Sequence, residues 1–363
     1  YAFNEELALA VEWADRTLVT AERLGDLDVI ADVLTTKGMC LANLGRVREG
    51  IGLLEAAVHL ALANDLPATA LRAQTNLSAI LPTVDPRAGI EQARIALETA
   101  RRAGVRTSML IIAGNAAEAG VFVGGADWAE AAVDELLEVT TESSGRVSLL
   151  ANALTVRSLH GRPYGDVLAE LEAAAADAEP GSTLEFTAGT AAMWIAFVNG
   201  DHVEAVRHAL RLAPMSTLNA PLTLLIGARA AVLNRDADQA RQLLQLLAET
   251  GVRGPTVDAQ RDMVAAGILA LDGAWVEATL AYDRAIRRLG ELGLDLDVGL
   301  AWLSVMAVAP PDEPVVDAER MARSLFERLT VPPFLAQVDR VRAERAAAQG
   351  APRSATPAEG APA

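Results

Sequence analysis

The chain has 363 residues, 52% of them hydrophobic and 4% aromatic, with 31 Lys+Arg against 48 Asp+Glu for a net charge of −17. That composition supplies a core and excludes a wholly disordered chain, and its Ala- and Leu-rich rows suit packed helices better than a β-sandwich or barrel. The negative surface repels phosphate backbones, so nucleic acid is not expected as a partner.

The chain opens at Tyr1 in sequence that already reads as helix, with nothing like a signal peptide, and is taken as a piece of a longer polypeptide. A first repeat copy is implied around Ala10. The next runs from Gly38 through Gly45 and Val47 to Gly50, followed by Leu54 and Ala57. Its offsets recur at Ala266, Gly273, Trp275, Ala278, Tyr282 and Ala285. Small residues let two antiparallel helices cross closely, bulky ones fill the space between repeats, and the turn glycine ends the first helix. The small position of the second helix falls at Gly50, Gly89, Ala131, Val167, Ala205, Ala240 and Ala278, in steps of 39, 42, 36, 38, 35 and 38 residues. A degenerate copy covers Leu300 to Leu329, and the chain ends in a Pro/Ala-rich tail. The pattern predicts an all-α protein, a right-handed superhelix of about eight helical hairpins over residues 1–345, with a disordered tail over 346–363. One cysteine, Cys40, excludes an intramolecular disulfide and suits a reducing cytoplasm. No charge-free apolar run approaches the ~20 residues of a membrane span, and the longest, Thr187 to Gly200, reads as one buried helix.

These residues resemble the tetratricopeptide repeat, in a variant longer than the basic unit, found in bacterial signalling ATPases. The signatures Glu22-Arg-Leu-Gly25, Arg101-Arg-Ala-Gly104 and Arg287-Arg-Leu-Gly290 are similar to those that close its second helix. The segment from Asp317 to Leu329, with Val331-Pro-Pro-Phe-Leu335 after it, is similar to the closing helices of two bacterial families. One comprises class III adenylate/guanylate cyclase proteins with an ATPase module and helical repeats; the other is the large LuxR-type regulators. The resemblance implies a non-catalytic interaction or regulatory domain, cyclase-linked by preference because no helix-turn-helix segment follows. The alternatives are the repeat region of a LuxR-type regulator and a metabolite-binding or enzymatic helical-repeat domain.

The residues themselves suggest little chemistry. Lys37, the only lysine, has no glycine-rich phosphate loop before it. The histidines His59, His160, His202 and His208 form no His-x-x-x-His pair, so no zinc site, cofactor or catalytic residue is expected. His202 reads as a capping or surface residue of a hairpin turn. Glu130, Asp134 and Glu138 step by four along one helix face, read as solvated. Asp295 and Asp297 read as charges at a helix N-terminus. Trp128 and Trp275 are expected in the core. In such arrays the first helices line a concave groove, and counting from each small residue nominates Arg72, Thr75, Asn152, Trp194, Arg229 and Gln260. The expected partner is a protein or peptide segment, from another protein or from the parent's own catalytic module, selected by Arg72 and Arg229 through its carboxylates.

Overall fold

Short polar side chains start the helices. Asp26, Asp85, Ser182, Asp201 and Asp236 each accept a bond from the backbone N–H three residues on, replacing a partner the first turn lacks. Gly25, Gly104 and Gly200 end helices in the left-handed region, at φ of 66°, 67° and 78°, a conformation that costs glycine little. The third signature, Arg287-Arg-Leu-Gly290, departs from this. Gly290 stays inside its helix, and Gly293, at φ 71°, lies just beyond the end.

The computed structural model describes residues 6–123, 126–140, 143–176, 178–179, 181–215 and 220–350. Among them are eighteen α-helices and no strand: α1 Leu7–Leu24, α2 Leu27–Asn43, α3 Val47–Ala63, α4 Pro67–Ile80, α5 Pro86–Ala103, α6 Arg106–Val123, α7 Ala126–Val139, α8 Ser143–Leu159, α9 Gly165–Ala175, α10 Thr183–Asn199, α11 His202–Leu212, α12 Ala220–Leu233, α13 Ala237–Glu249, α14 Pro255–Leu271, α15 Trp275–Glu291, α16 Asp295–Val308, α17 Val316–Arg328 and α18 Pro332–Gly350. Pro82 lies in a short 3-10 turn after α4. A proline ring cannot continue the α-helical ladder.

The helices α2/α3 to α16/α17 form eight hairpins, with α1 before them and α18 after. The first helices, even-numbered from α2 to α16, also pack each on the next and make one continuous inner layer. The chain is an all-α solenoid. Its crossings are built on small residues, as the spacing predicts. The tightest is α2 on α3, where a Cβ on Gly50 would lie 2.5 Å from Gly38 O and a Cβ on Gly38 would lie 2.9 Å from Gly50 O. In α15, Ala278 and Ala285 are fully buried, and the Tyr282 hydroxyl lies 2.6 Å from Ser304 Oγ of α16.

The register of the third hairpin differs from the sequence reading. Ala131 is exposed, while Ala129 is fully buried at the fourth position of α7, as Ala278 is in α15. Val133, Leu136 and Thr140 then fall where Tyr282, Ala285 and Leu289 fall. Ala129, Ala131 and Ala132 are interchangeable in composition, and only the start of the helix decides which one faces inward. Gly125, just before α7, lies outside the described residues.

The array coils tightly enough to touch itself. Helices α6 and α16, five hairpins apart, pack together. The last helix, α18, lies against α8, α10 and α16 of the inner layer, burying Phe334 and Val338 completely. Phe334 meets Phe197 of α10 edge-on at 5.8 Å, and Gln337 Nε2 donates to the carbonyls of Phe197 and Val198 at 3.0 and 2.8 Å. Part of the expected groove is therefore filled by the chain's own last helix. The helix runs past residue 345 to Gly350, and the rest of the predicted tail, 351–363, lies outside the described residues.

Candidate functional site

Where the coil meets itself it forms a partly open cavity of 330 Å³. One wall comes from α2, α4 and α6, through Met39, Ala79, Ile80, Asn115 and Glu118. The facing wall comes from α12, α14 and the connection before α14, through Leu222, Leu225, Arg253, Thr256, Val257 and Gln260. The volume falls within the range of small-molecule sites, and the apolar lining with a few polar groups is also typical of them.

Glu118 is the only acidic residue of α6. Its side chain is exposed and lines the cavity, with the surrounding helices displacing part of its water. Burial alone pushes its carboxyl above the ordinary value, with no neighbouring charge to offset the shift. No hydrogen bond or ion pair among the described residues reaches it. Across the cavity, Thr256 Oγ1 of α14 is buried and also without a partner. Arg253 is more than half exposed and faces Asp258 at 3.9 Å. Sequence reasoning passed over Glu118. The signal was present as the single charged side chain of α6 after its first turn.

Beside the cavity lies a buried polar triad. Arg229 of α12, 4% exposed, reaches Asp297 of α16, which is fully buried, at 2.7 Å, and Gln260 Nε2 of α14 donates to the other carboxylate oxygen at 2.8 Å. Burial lowers the guanidinium and raises the carboxyl, and their mutual attraction opposes both shifts. The triad ties three successive first helices together. Asp295 and Asp297 do lie in the first turn of α16, but Asp297 matches a buried charge, while Asp295 pairs with Arg328 at 3.0 Å.

Of the six groove candidates, the structure brings together Arg229 and Gln260. The other four lie apart. Arg72 is exposed and bonds Asp32 Oδ1 at 2.8 Å and Thr36 Oγ1 at 3.0 Å, bridging α4 to α2. Thr75 is buried and donates to Leu71 O of its own helix at 2.8 Å. Half-buried Asn152 packs its amide where a Cβ on Gly114 would sit, 2.7 Å away. Trp194, 4% exposed, donates Nε1 to Thr155 O of α8 at 3.1 Å, joining two first helices. Gln260 alone of the six lines the cavity.

The remaining sequence candidates are mostly inter-helix contacts. Glu130 is 3% exposed and binds Arg162 at 2.6 Å, and Asp134 binds Arg157 at 2.8 Å. Those two are anchors between neighbouring hairpins; Glu138 is exposed, as expected. Trp128 and Trp275 are half-buried, with Arg94 stacked 5.0 Å from the Trp128 ring.

His202 is the first residue of α11, half-buried against Phe197 at 6.2 Å. Burial, with Arg340 of α18 adding to it and Asp201 opposing, lowers its pKa to about 4. The imidazole is thus neutral when folded, while the unfolded chain protonates near 6.5. Between those values the unfolded state binds more protons, so stability is fully present above 6.5 and falls on acidification toward 4. We expect this histidine to contribute up to about 3 kcal/mol of pH dependence. Melting curves at pH 7 and pH 5 should separate less for His202→Gln than for the parent. Equal separations would remove the histidine from the account.

No protein-family model matches the chain, and no curated protein matches it. Among solved structures, it is similar to a circular tandem repeat protein described as having a novel repeat topology and enhanced subunit contact surfaces. That match is 14% identical over 94% of this chain and 91% of the other, with a TM-score of 0.27, too low to bear on arrangement. The helix order and the continuous inner layer of this chain stand on their own, and they make it an all-α solenoid of tandem hairpins.

Proposed function

We propose that the chain is a non-catalytic interaction and regulatory repeat module of a larger bacterial cytoplasmic signalling protein, of the cyclase-linked or ATPase type. The observation that carries this reading is the outer face of α1. By its buried alanines Ala10, Ala14 and Ala21, α1 is a second helix. It lacks a first helix among the described residues. Leu9 at 40%, Trp13 at 54% and Leu24 at 76% exposure lie along one stripe of it, with Arg16 stacked 5.3 Å from the Trp13 ring. In a repeat array such a stripe is what the preceding helix covers. The polar residues that the sequence singles out support the same reading, because most of them hold helix to helix.

Two measurements test it. Purified chain with Mg²⁺ and ATP or GTP should show no nucleotide turnover, and measurable turnover would end the non-catalytic reading. Hydrogen exchange over residues 9–24 should slow when the chain is part of its full-length parent, and Trp13→Glu should remove that protection. Equal exchange in both contexts would show that nothing stacks on α1.

A further inference from the structure

We propose that the cavity between the two meeting walls of the solenoid binds a small amphipathic amine, its ammonium held by Glu118 of α6 and Thr256 of α14 and its apolar body packed among Met39, Ile80, Leu222, Leu225 and Val257. The inference is independent of the scaffold reading, since it rests on the cavity and not on α1.

Three observations converge on this class of ligand. The first is space. A cavity of 330 Å³ has the volume of about ten bulk waters, at roughly 30 Å³ each. The second is chemistry left unfinished. Glu118 and Thr256 stand on opposite walls, and among the described residues neither side-chain oxygen has a hydrogen-bond partner. A partly desolvated carboxylate with no paired cation is stabilised by taking either a proton or a cation. An ammonium offers three donors from one centre, so it can serve a carboxylate and a hydroxyl oxygen together. The third is the surroundings. The other polar lining residues are largely occupied: Gln260 donates to Asp297, Asn115 donates to Ser78 at 3.0 Å, and Thr83 donates to Ile80 O. Arg253 also lines the cavity but is more than half exposed and faces Asp258, so what is left is an apolar chamber holding the Glu118 carboxylate. A bare inorganic cation would leave the apolar walls unused. An anion would meet the Glu118 carboxyl.

The placement also gives the ligand a consequence. The two walls belong to the first three hairpins and to the sixth and seventh, and a bound amine would add a contact across the closure. Binding would stabilise the closed coil by mass action.

Calorimetric titration with a panel of primary ammonium compounds carrying bodies of six to ten carbons, 2-phenylethylammonium and n-octylammonium among them, tests the proposal against the matched alcohols and carboxylates. At least one amine should bind the wild-type chain saturably, at least tenfold more tightly than its alcohol, with its carboxylate weaker still. Glu118→Gln should weaken the amine at least tenfold and leave the alcohol unchanged. Thr256→Val should weaken the amine about threefold. Because the Glu118 carboxyl makes no bond in the free protein, Glu118→Gln should melt at or above the wild-type temperature, so loss of binding will not be confused with loss of fold. Absence of binding across the panel, or equal amine affinity in wild type and Glu118→Gln, would overturn the proposal. Preference for the alcohols would do the same.

Discussion

Replacing Arg229 with Met should destabilise the array by about 3–5 kcal/mol, because it leaves Asp297 buried without its counter-charge. The side chain is nearly the right length and apolar, so the loss isolates the charge from the packing. Asp297→Leu alone should cost a similar amount by stranding the guanidinium. The double variant Arg229→Met/Asp297→Leu should recover most of the loss, since a buried pair replaced by packed apolar groups is often neutral. It leaves only the Gln260 amide to find a new partner. The coupling between the two single changes is the informative quantity. Urea unfolding followed by hydrogen exchange in α12, α14 and α16 measures it. Two single variants within 1 kcal/mol of the parent would mean that water reaches the pair.

The second large effect belongs to α3. Gly50→Ala places a Cβ 2.5 Å from the Gly38 carbonyl oxygen, a backbone atom that cannot swing aside. The helix itself gains up to about 1 kcal/mol from alanine. Overpacking of this kind costs about 3 kcal/mol, so the steric term wins. Gly52, two residues on in the same helix, is exposed with nothing within 4 Å of an added Cβ. Gly52→Ala should therefore stabilise, by up to about 1 kcal/mol. Opposite signs from one chemical change in one helix are the expected result of paired thermal melts. A Gly50→Ala variant as stable as Gly52→Ala would move the crossing elsewhere.

The hairpins were legible because they are made by nearest neighbours. A small residue at Gly50 or Ala278 meets its counterpart within one repeat, so periodicity alone finds it. Even the missed register at Ala129 fits: with it, the steps around the third hairpin become 40 and 38 residues in place of 42 and 36. The coil was not legible. No spacing announces that α6 will rest on α16, or that α18 will turn back across the inner layer. The groove candidates inherited that gap. Arg229 sat at a groove-facing offset, but its partner Asp297 arrives two hairpins later, and charge pairing at that distance leaves no periodic trace. Asp297 was read correctly as a first-turn residue, while its burial depended on neighbours the pattern does not name. Glu118 shows the reverse case. Its place as the single acidic residue of α6 was visible, and its meaning required the wall that faces it.

The seat of α18 sets an order in time. In a simple stack each repeat can settle as soon as its neighbour is made, which suits a chain emerging from the ribosome N-terminus first. Here the carbonyls of Phe197 and Val198 are bonded by a glutamine 140 and 139 residues further on. Until that residue is synthesised, the aromatic end of α10 has no cover, and the nascent chain carries an open apolar seam through the middle of its synthesis. Closing it is a long-range step, and such steps slow folding. A stalled chain ending before Val331 should accordingly be readily captured by a holdase chaperone, and synthesis and release of the residues that form α18 should end that capture.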